Sequence, residues 1–144
     1  MRALRILIAD DEPDTLTTLG MLLTAEGAEV RLASAGLEVA RLVAEFSPDV
    51  VTLDLALPDH SGLEVARELQ DCYGKDCPVL ICITGRTGAE DRAKAAQSGF
   101  RHFVAKPYEP RELVRLILSM PLRAATVVGY ITPAAAKPPI SDSP

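Results

Sequence analysis

The sequence predicts an α/β fold in which helices cover both faces of a parallel β-sheet. Short apolar runs alternate with longer segments of helical periodicity, as in repeated strand–helix–strand units. The run at 50–55 is almost uniformly apolar, which is typical of a strand buried on both faces. A chain of 144 residues, 48% of them hydrophobic, suits one such domain with a short extension.

Three strands and two helices are expected in the first half of the chain. Pro13 suits the first turn of a helix, leucines follow it at helical spacing, and Gly27 suits the helix end. The second strand carries few apolar residues, which predicts a position at the edge of the sheet. The second helix stops before Pro48. The expected strands are 6–9, 29–33 and 50–55, and the expected helices are 13–26 and 37–46.

Two strands and three helices are expected in the second half. Pro58 and Gly62 mark the loop before the third helix, and Pro78 introduces the fourth strand. An alanine-rich helix ends at Gly99, and Pro110 opens the last helix. The expected loops are 56–62 and 73–76, the strands are 79–83 and 100–105, and the helices are 63–72, 89–98 and 110–120, the first of these with Leu63, Ala66 and Leu69 on its inner face.

Four of the apolar runs end on polar residues that could serve one phosphoryl-transfer site. They lead into Asp10 and Asp11, Asp54, Thr84 and Lys106. Ligands of open parallel sheets bind at the carboxyl ends of the strands, so these side chains are expected to meet at one edge. Three crowded carboxylates repel one another unless a cation joins them. The set would suit a divalent metal, a nucleophilic carboxylate and a phosphoryl group.

The order and spacing of these residues, each following a strand-like run, resemble the receiver domain of two-component response regulators. The resemblance covers about residues 5–120 and includes Pro107, which follows Lys106. It implies a flavodoxin-like, doubly wound sheet of five parallel strands in the order 2-1-3-4-5, with five helices. The expected domains are a receiver at 1–122 and an extension at 123–144.

The extension is expected to be largely disordered, because it is rich in proline from about residue 134. The short apolar stretch at 126–131 is expected to pack back on the domain in preference to docking on a partner. The sequence after the last predicted helix does not predict an output domain. We therefore expect either a stand-alone receiver or the N-terminal part of a larger protein.

The resemblance implies that Asp54 is the phosphoacceptor. A carboxylate that attacks phosphorus forms an acyl phosphate, and carboxylate nucleophiles are a known covalent strategy. The implied cofactor is Mg²⁺ or Mn²⁺, which prefers oxygen ligands. Asp11, Asp54 and the backbone carbonyl of Ala56 would bind it directly. Asp10 would act mainly through water.

Thr84 and Lys106 are the implied partners of the phosphoryl oxygens, to which they would supply a hydroxyl donor and a positive charge. The resemblance also implies a cis bond between Lys106 and Pro107, which is accessible because the bond precedes proline. Thr84 would move toward the phosphoryl group, and Phe103 would fill the vacated space. Plain core packing is the other expected role of Phe103, and the two roles are compatible. The surface at 89–120 would then bind a downstream protein or a second copy of the chain.

Ala56 and Arg86 occupy the two positions that tune the lifetime of the phosphoryl group in the family. Ala56 has no side-chain group that could orient a water. Arg86 would shield the phosphoryl group, pair with an acid, or simply lie exposed in a loop. Tyr108, two residues after Lys106, is expected only at the surface.

The histidines and cysteines carry no recognisable function. Neither His60 nor His102 lies in a phosphohistidine motif, and His102 is expected to be exposed on the fifth strand. The cysteines match no zinc spacing, and Cys82, inside an apolar run, is expected in the core. They are Cys72, Cys77 and Cys82.

Three rival functions are less consistent with these residues. A phosphohydrolase with a similar aspartate nucleophile would need a second aspartate where Ala56 stands. A flavin carrier of similar topology would need a Ser/Thr/Gly-rich phosphate loop where the chain has Asp10 and Asp11. A receiver-like module that no longer accepts phosphate would not be expected to retain all five site positions.

The implied phosphoryl donor is a sensor histidine kinase or a histidine phosphotransfer protein. The chain is expected to be a switch that assists its own magnesium-dependent phosphorylation and dephosphorylation, not an enzyme with an external substrate.

A net charge of −5 argues against a nucleic-acid partner. No apolar run approaches the ~20 residues that span a membrane, and the start of the chain does not resemble a signal peptide. A cytoplasmic location is therefore expected.

Overall fold

The computed structural model describes residues 2–120, and the structural statements below concern that part of the chain. The strands are β1 (Arg5–Ala9), β2 (Glu29–Ala33), β3 (Val50–Asp54), β4 (Val79–Thr84) and β5 (His102–Ala105). The helices are α1 (Pro13–Ala25), α2 (Gly36–Phe46), α3 (Gly62–Tyr73), α4 (Ala89–Gln97) and α5 (Pro110–Leu118). All strand pairs are parallel, and the order is β2-β1-β3-β4-β5. The predicted fold, with β2 at an edge, is confirmed.

The sheet separates two apolar cores, one on each face. The core shared with α2, α3 and α4 includes Leu7, Val51, Leu53 and Leu80. The core shared with α1 and α5 includes Ile6, Ile8, Val50 and Ile81. Side chains alternate between the two faces along a strand, so central strands are apolar on both sides. This is why every residue of β3 is buried, including the aspartate at its end.

Most element bounds agree with the prediction to within one or two residues. β5 begins at His102 because Phe100 still belongs to the turn that closes α4, where its N–H donates to the carbonyl of Ala95 at 3.2 Å. α5 ends at Leu118, slightly earlier than predicted. The segment Gly74–Asp76, predicted as loop, forms a short 3-10 turn after α3.

His102 is buried, with 2% of its surface exposed, and the prediction of an exposed side chain was wrong. His102 is in register with Ile81, whose side chain lies in the core beneath α1 and α5. Alternation along a strand tells which face a residue occupies, and here helices cover both faces. Burial, and to a lesser degree the charge of Arg101, lower the pKa of His102 from 6.5 to about 4.

Several predictions concern residues beyond those the structure describes. They are the domain boundary at 122, the disorder from about residue 134 and the packing of 126–131, and they stay predictions. Within residues 2–120, none of the helices is long and apolar enough to cross a membrane.

Candidate functional site

Three carboxylates meet at the carboxyl edge of the sheet, as predicted. Asp10, Asp11 and Asp54 each offer an oxygen, and these oxygens lie within 4.8 Å of one another. The strand register explains why they meet. Ala9 of β1 pairs with Leu53 of β3, and the residue that follows each of them is an aspartate. Asp10 and Asp54 are buried, whereas Asp11 is exposed. The cluster is thus closed on the side of the protein and open toward solvent.

Each buried carboxylate is oriented by a backbone N–H two residues further along the chain. The N–H of Ala56 donates to Oδ1 of Asp54 at 2.9 Å, and the N–H of Glu12 donates to Oδ1 of Asp10 at 2.9 Å. These bonds leave the second oxygen of each carboxylate facing the centre of the cluster, where Lys106 lies. Both aspartates are therefore fixed in orientation before any ligand arrives.

Lys106 supplies the positive charge of the site. Its Nζ donates to Oδ2 of Asp54 at 2.8 Å and lies 3.7 Å from Oδ2 of Asp10. Burial lowers the pKa of Lys106, but the hydrogen bond and the charge of Asp54 outweigh burial, so that the pKa is raised. The ammonium therefore stays charged at neutral pH. The peptide bond to Pro107 is cis, as the resemblance implied.

The cluster carries more negative than positive charge. Burial, and also the nearby charge of Asp54, raise the pKa of Asp10, although the hydrogen bond from Glu12 opposes them. One ammonium cannot neutralise three carboxylates. An all-oxygen set of this kind fits a hard divalent cation, which would supply the missing positive charge. Residues Asp10, Asp11 and Asp54 are the groups that could hold it.

Thr84, at the end of β4, lies next to this cluster in the sheet. Asp54 is in register with Ile83, the residue before Thr84, and Thr84 is buried. Its Oγ1 accepts a hydrogen bond from the N–H of Arg86 at 3.0 Å. The hydroxyl proton of Thr84 is therefore available for an acceptor. Its own carbonyl accepts from the N–H of Lys106 at 2.8 Å, which ties the ends of β4 and β5 together.

Phe103 packs in the core on the side of α2, α3 and α4, with 7% of its surface exposed. The guanidinium of Arg92, on α4, lies 4.9 Å from the centre of its ring, a cation–π distance. The core-packing interpretation of Phe103 is therefore correct as far as it goes. Its role as a switch stays a prediction, and Arg92 is a contact that the sequence did not predict.

Arg86 pairs with Asp91 and not with the carboxylates of the acidic cluster. Its Nε lies 3.6 Å from Oδ1 of Asp91, and 82% of its side chain is exposed. An exposed pair of this kind contributes little to stability.

Ala56 is exposed beside the carboxylates, and its N–H donates to Oδ1 of Asp54. That its carbonyl binds a cation stays a prediction.

Tyr108 is the site neighbour that sequence reasoning undervalued. It is half-buried and lines a groove between the start of α1 and the segment after β5, together with Glu12, Thr15, Thr18, Lys106 and Pro107. Burial, and then the charge of Asp10, raise the pKa of Tyr108. The only sequence signal for this position was its place two residues after Lys106.

Cys82 is fully buried, as predicted, and burial raises the pKa of its thiol to about 12.

Comparison with known proteins finds one consistent group. A family model described as the response regulator receiver domain matches residues 6–118. The transcriptional regulatory protein KdpE of Mycobacterium tuberculosis is 40% identical over 103 residues, covering 72% of this chain and 44% of KdpE. The aerobic respiration control protein ArcA of Escherichia coli is 34% identical over 130 residues, covering 88% of this chain and 53% of ArcA. The chain thus spans about half the length of these two relatives.

Solved structures give the same result. The receiver domain of the TMAO respiratory system response regulator TorR is 34% identical, with a TM-score of 0.70, and the match covers 78% of this chain and 91% of that one. A CheY-like receiver domain protein from Methanospirillum hungatei JF-1 is 27% identical, with a TM-score of 0.74, covering 81% and 91%.

Proposed function

The chain belongs to the response regulator receiver family, and we propose that it accepts a phosphoryl group on Asp54. The observation that carries this proposal is the setting of Asp54: it is buried at the end of β3, oriented by the N–H of Ala56, and in contact with the ammonium of Lys106. A nucleophilic carboxylate must be held in one orientation for in-line attack, and these contacts hold it.

The reaction would join an oxygen of Asp54 to phosphorus and break the bond between phosphorus and a nitrogen of the donor. The donor nitrogen leaves with the electron pair of that bond and takes up a proton from water. Lys106 would exchange its bond with Asp54 for a phosphoryl oxygen, and the hydroxyl of Thr84, whose proton is available, would donate to another. Mg²⁺ or Mn²⁺, held by Asp11, Asp54 and the carbonyl of Ala56 with Asp10 nearby, would supply the remaining positive charge.

The phosphoryl donor we infer is the phosphohistidine of a sensor kinase or of a phosphotransfer protein. The groove beside the site, between the start of α1 and Tyr108, gives a donor protein a surface next to Lys106. A phosphohydrolase of similar chemistry is disfavoured, because Ala56 stands where its acid/base would be and no other carboxylate replaces it at that position. The chain would therefore be a switch that carries one phosphoryl group, not a catalyst for external phosphate esters.

The test of Asp54 is an intact-mass measurement after exposure to a small acyl or amido phosphate. The full chain should gain one phosphoryl group with Mg²⁺ and none with a chelator. Asp54→Asn should gain none, and Asp71→Asn, the same change on the exposed surface of α3, should behave as the wild type. Equal labelling with and without metal would contradict the cation proposal. Full labelling of Asp54→Asn would contradict the site.

The output we propose is a protein interface at 89–120, used by a downstream protein or a second copy of the chain. Among the relatives, MtrA of Mycolicibacterium smegmatis is a DNA-binding response regulator, and this chain covers 47% of it. The net charge of −5 supports a protein rather than a nucleic acid as the partner of this receiver. No function in DNA binding is proposed for residues 2–120.

Phe103→Ala tests whether the signal reaches that interface through the ring. Phosphorylation should remain largely intact, because the ring of Phe103 packs in the core and against Arg92 and has no group that takes part in phosphoryl transfer. Phosphorylation-dependent dimerisation or partner binding should weaken about tenfold, the scale of a typical coupling energy. Sedimentation of phosphorylated and unphosphorylated protein measures the effect. Phe100→Leu, a change in the same core, is the control. If phosphorylated Phe103→Ala assembles as the wild type does, Phe103 is only a core residue.

A further inference from the structure

Asp59 belongs to the loop between β3 and α3, yet its carboxylate binds the start of another helix. Its Oδ1 accepts from the N–H of Gly36 at 2.6 Å, and its Oδ2 accepts from the N–H of Leu37 at 3.0 Å. Gly36 and Leu37 are the first residues of α2, whose N–H groups have no partner within the helix. The residue before them, Ala35, has no side chain that could cap them. Asp59 therefore caps α2 from a segment 23 residues away.

The loop and the helix approach so closely that only glycine fits at the first position of α2. A Cβ on Gly36 would lie 2.8 Å from Cβ of His60 and 3.3 Å from Oδ1 of Asp59. The two backbone N–H bonds lower the pKa of Asp59 to about 2, so the capping carboxylate is ionised throughout the physiological range. Protonation therefore does not remove this contact between α2 and the loop in that range.

This tie closes a segment that starts at the phosphoacceptor. Leu55, directly after Asp54, donates its N–H to the carbonyl of Ile83 at 3.1 Å, and the side chain of Leu57 is buried in the core. Asp59 is the third attachment along the same loop. Ala56 lies between the first two, exposed beside the carboxylates, with its N–H bound to Asp54. The orientation of the Ala56 peptide is therefore set from both ends of the loop.

We propose that Asp59 is a positioning residue that holds the backbone carbonyl of Ala56 ready for the divalent cation. This inference rests on the proposed function, in which that carbonyl is a ligand. A ligand on a loop that is already ordered loses less conformational freedom when the ion binds, so the tie should raise cation affinity. Changes to groups that orient metal ligands typically weaken binding by about tenfold or more.

The experiment is a calorimetric Mg²⁺ titration of the full chain, together with the Mg²⁺ dependence of phosphorylation by a small acyl phosphate. Asp59→Ala should raise the Kd for Mg²⁺ by roughly tenfold, while the labelling rate at saturating Mg²⁺ stays near that of the wild type. The matched control is Glu38→Ala. Glu38 accepts from the N–H of Ser34 at 2.7 Å, at the start of the same helix, but makes no such bond to the loop after β3. Its Mg²⁺ Kd should be unchanged.

Gly36→Ala tests the tie from the other side and serves also if Asp59→Ala fails to fold. The added Cβ must push the loop away, so the Kd for Mg²⁺ should rise as it does in Asp59→Ala. Gly20→Ala is its control, because a Cβ there meets only the flexible side chain of Leu32 at 3.7 Å.

Each outcome separates the two levels of the proposal. A wild-type chain that neither binds Mg²⁺ nor accepts a phosphoryl group contradicts the proposed function itself. A wild type that does both, with Asp59→Ala and Gly36→Ala at the same Kd, overturns the positioning role alone. Equal weakening in Glu38→Ala would overturn it as well, because loss of α2 stability would then explain the effect.

Discussion

A buried aspartate lies at each end of β3, and the two differ in how their negative charge is neutralised. Asp49, just before the strand, has 0% of its surface exposed, and Asp54, at its end, has 2%. Asp49 receives both Nη atoms of Arg2, at 2.6 and 3.0 Å, and the N–H of Arg5 at 2.9 Å. Its charge is matched by one guanidinium of its own. This carboxylate is structural.

Asp54 has no cation to itself. It shares the ammonium of Lys106 with Asp10, and Asp11 adds a third negative charge nearby. Burial of a carboxylate therefore does not by itself indicate chemistry. What distinguishes the functional edge of the sheet from the structural edge is the local excess of negative charge, which a bound cation would remove.

Substitution of each aspartate tests this contrast most directly, because each variant should show the effect that the other lacks. Asp54→Asn should abolish phosphoryl labelling with little loss in the free energy of unfolding. Asp49→Ala should leave labelling intact but cost about 2 kcal/mol of stability, below the full cost of a broken buried pair because Arg2 is 42% exposed. Urea unfolding and intact mass measure both. A labelling defect in Asp49→Ala, with the fold intact, would break the distinction.

His102 extends the comparison to a buried base. Its pKa is about 4 in the folded chain against 6.5 ordinarily, so the unfolded chain takes up the proton first as the pH falls. The stability that neutral His102 contributes is present above about pH 6.5 and is lost as the pH falls toward about 4, by up to about 3 kcal/mol. Urea unfolding at a series of pH values should show this slope.

The matched variants identify the titrating group. His102→Leu, which keeps the volume of the side chain, should remove most of the slope between those two pH values. His60→Asn should keep it, because His60 lies partly exposed on the loop before α3. An unchanged slope in His102→Leu would assign the pH dependence to the carboxylates.

The smallest expected effect comes from Lys106. Lys106→Met removes the cation that competes with a metal for the carboxylates, so Mg²⁺ should bind about threefold more tightly, a modest gain because Lys106 is partly exposed. The labelling rate should nevertheless fall, because the phosphoryl oxygens lose a positive partner. Lys94→Met, on the exposed surface of α4, is the control in the same titration. Weaker Mg²⁺ binding in Lys106→Met would mean that the ammonium helps to hold the ion.

The sequence predicted the sheet well because strands buried on both faces leave long apolar runs, as in β3, while β2 at the edge does not. It predicted the carboxylates, Thr84 and Lys106 because each follows such a run. It could not predict the partners of Asp49 and Asp59, since Arg2 and Gly36 lie 47 and 23 residues away and such contacts leave no periodic trace. The burial of His102 was missed for a related reason: it depends on which helices cover the sheet.

The unequal exposure of the three site aspartates has a consequence for timing. With Asp10 and Asp54 in the protein wall and Asp11 toward solvent, an ion held there would keep water on one side. It could arrive and depart without any opening of the fold, so that exchange of the ion would need no conformational change. The signal would then be stored in the acyl phosphate on Asp54, and the ion would be required only for the formation and the hydrolysis of that bond.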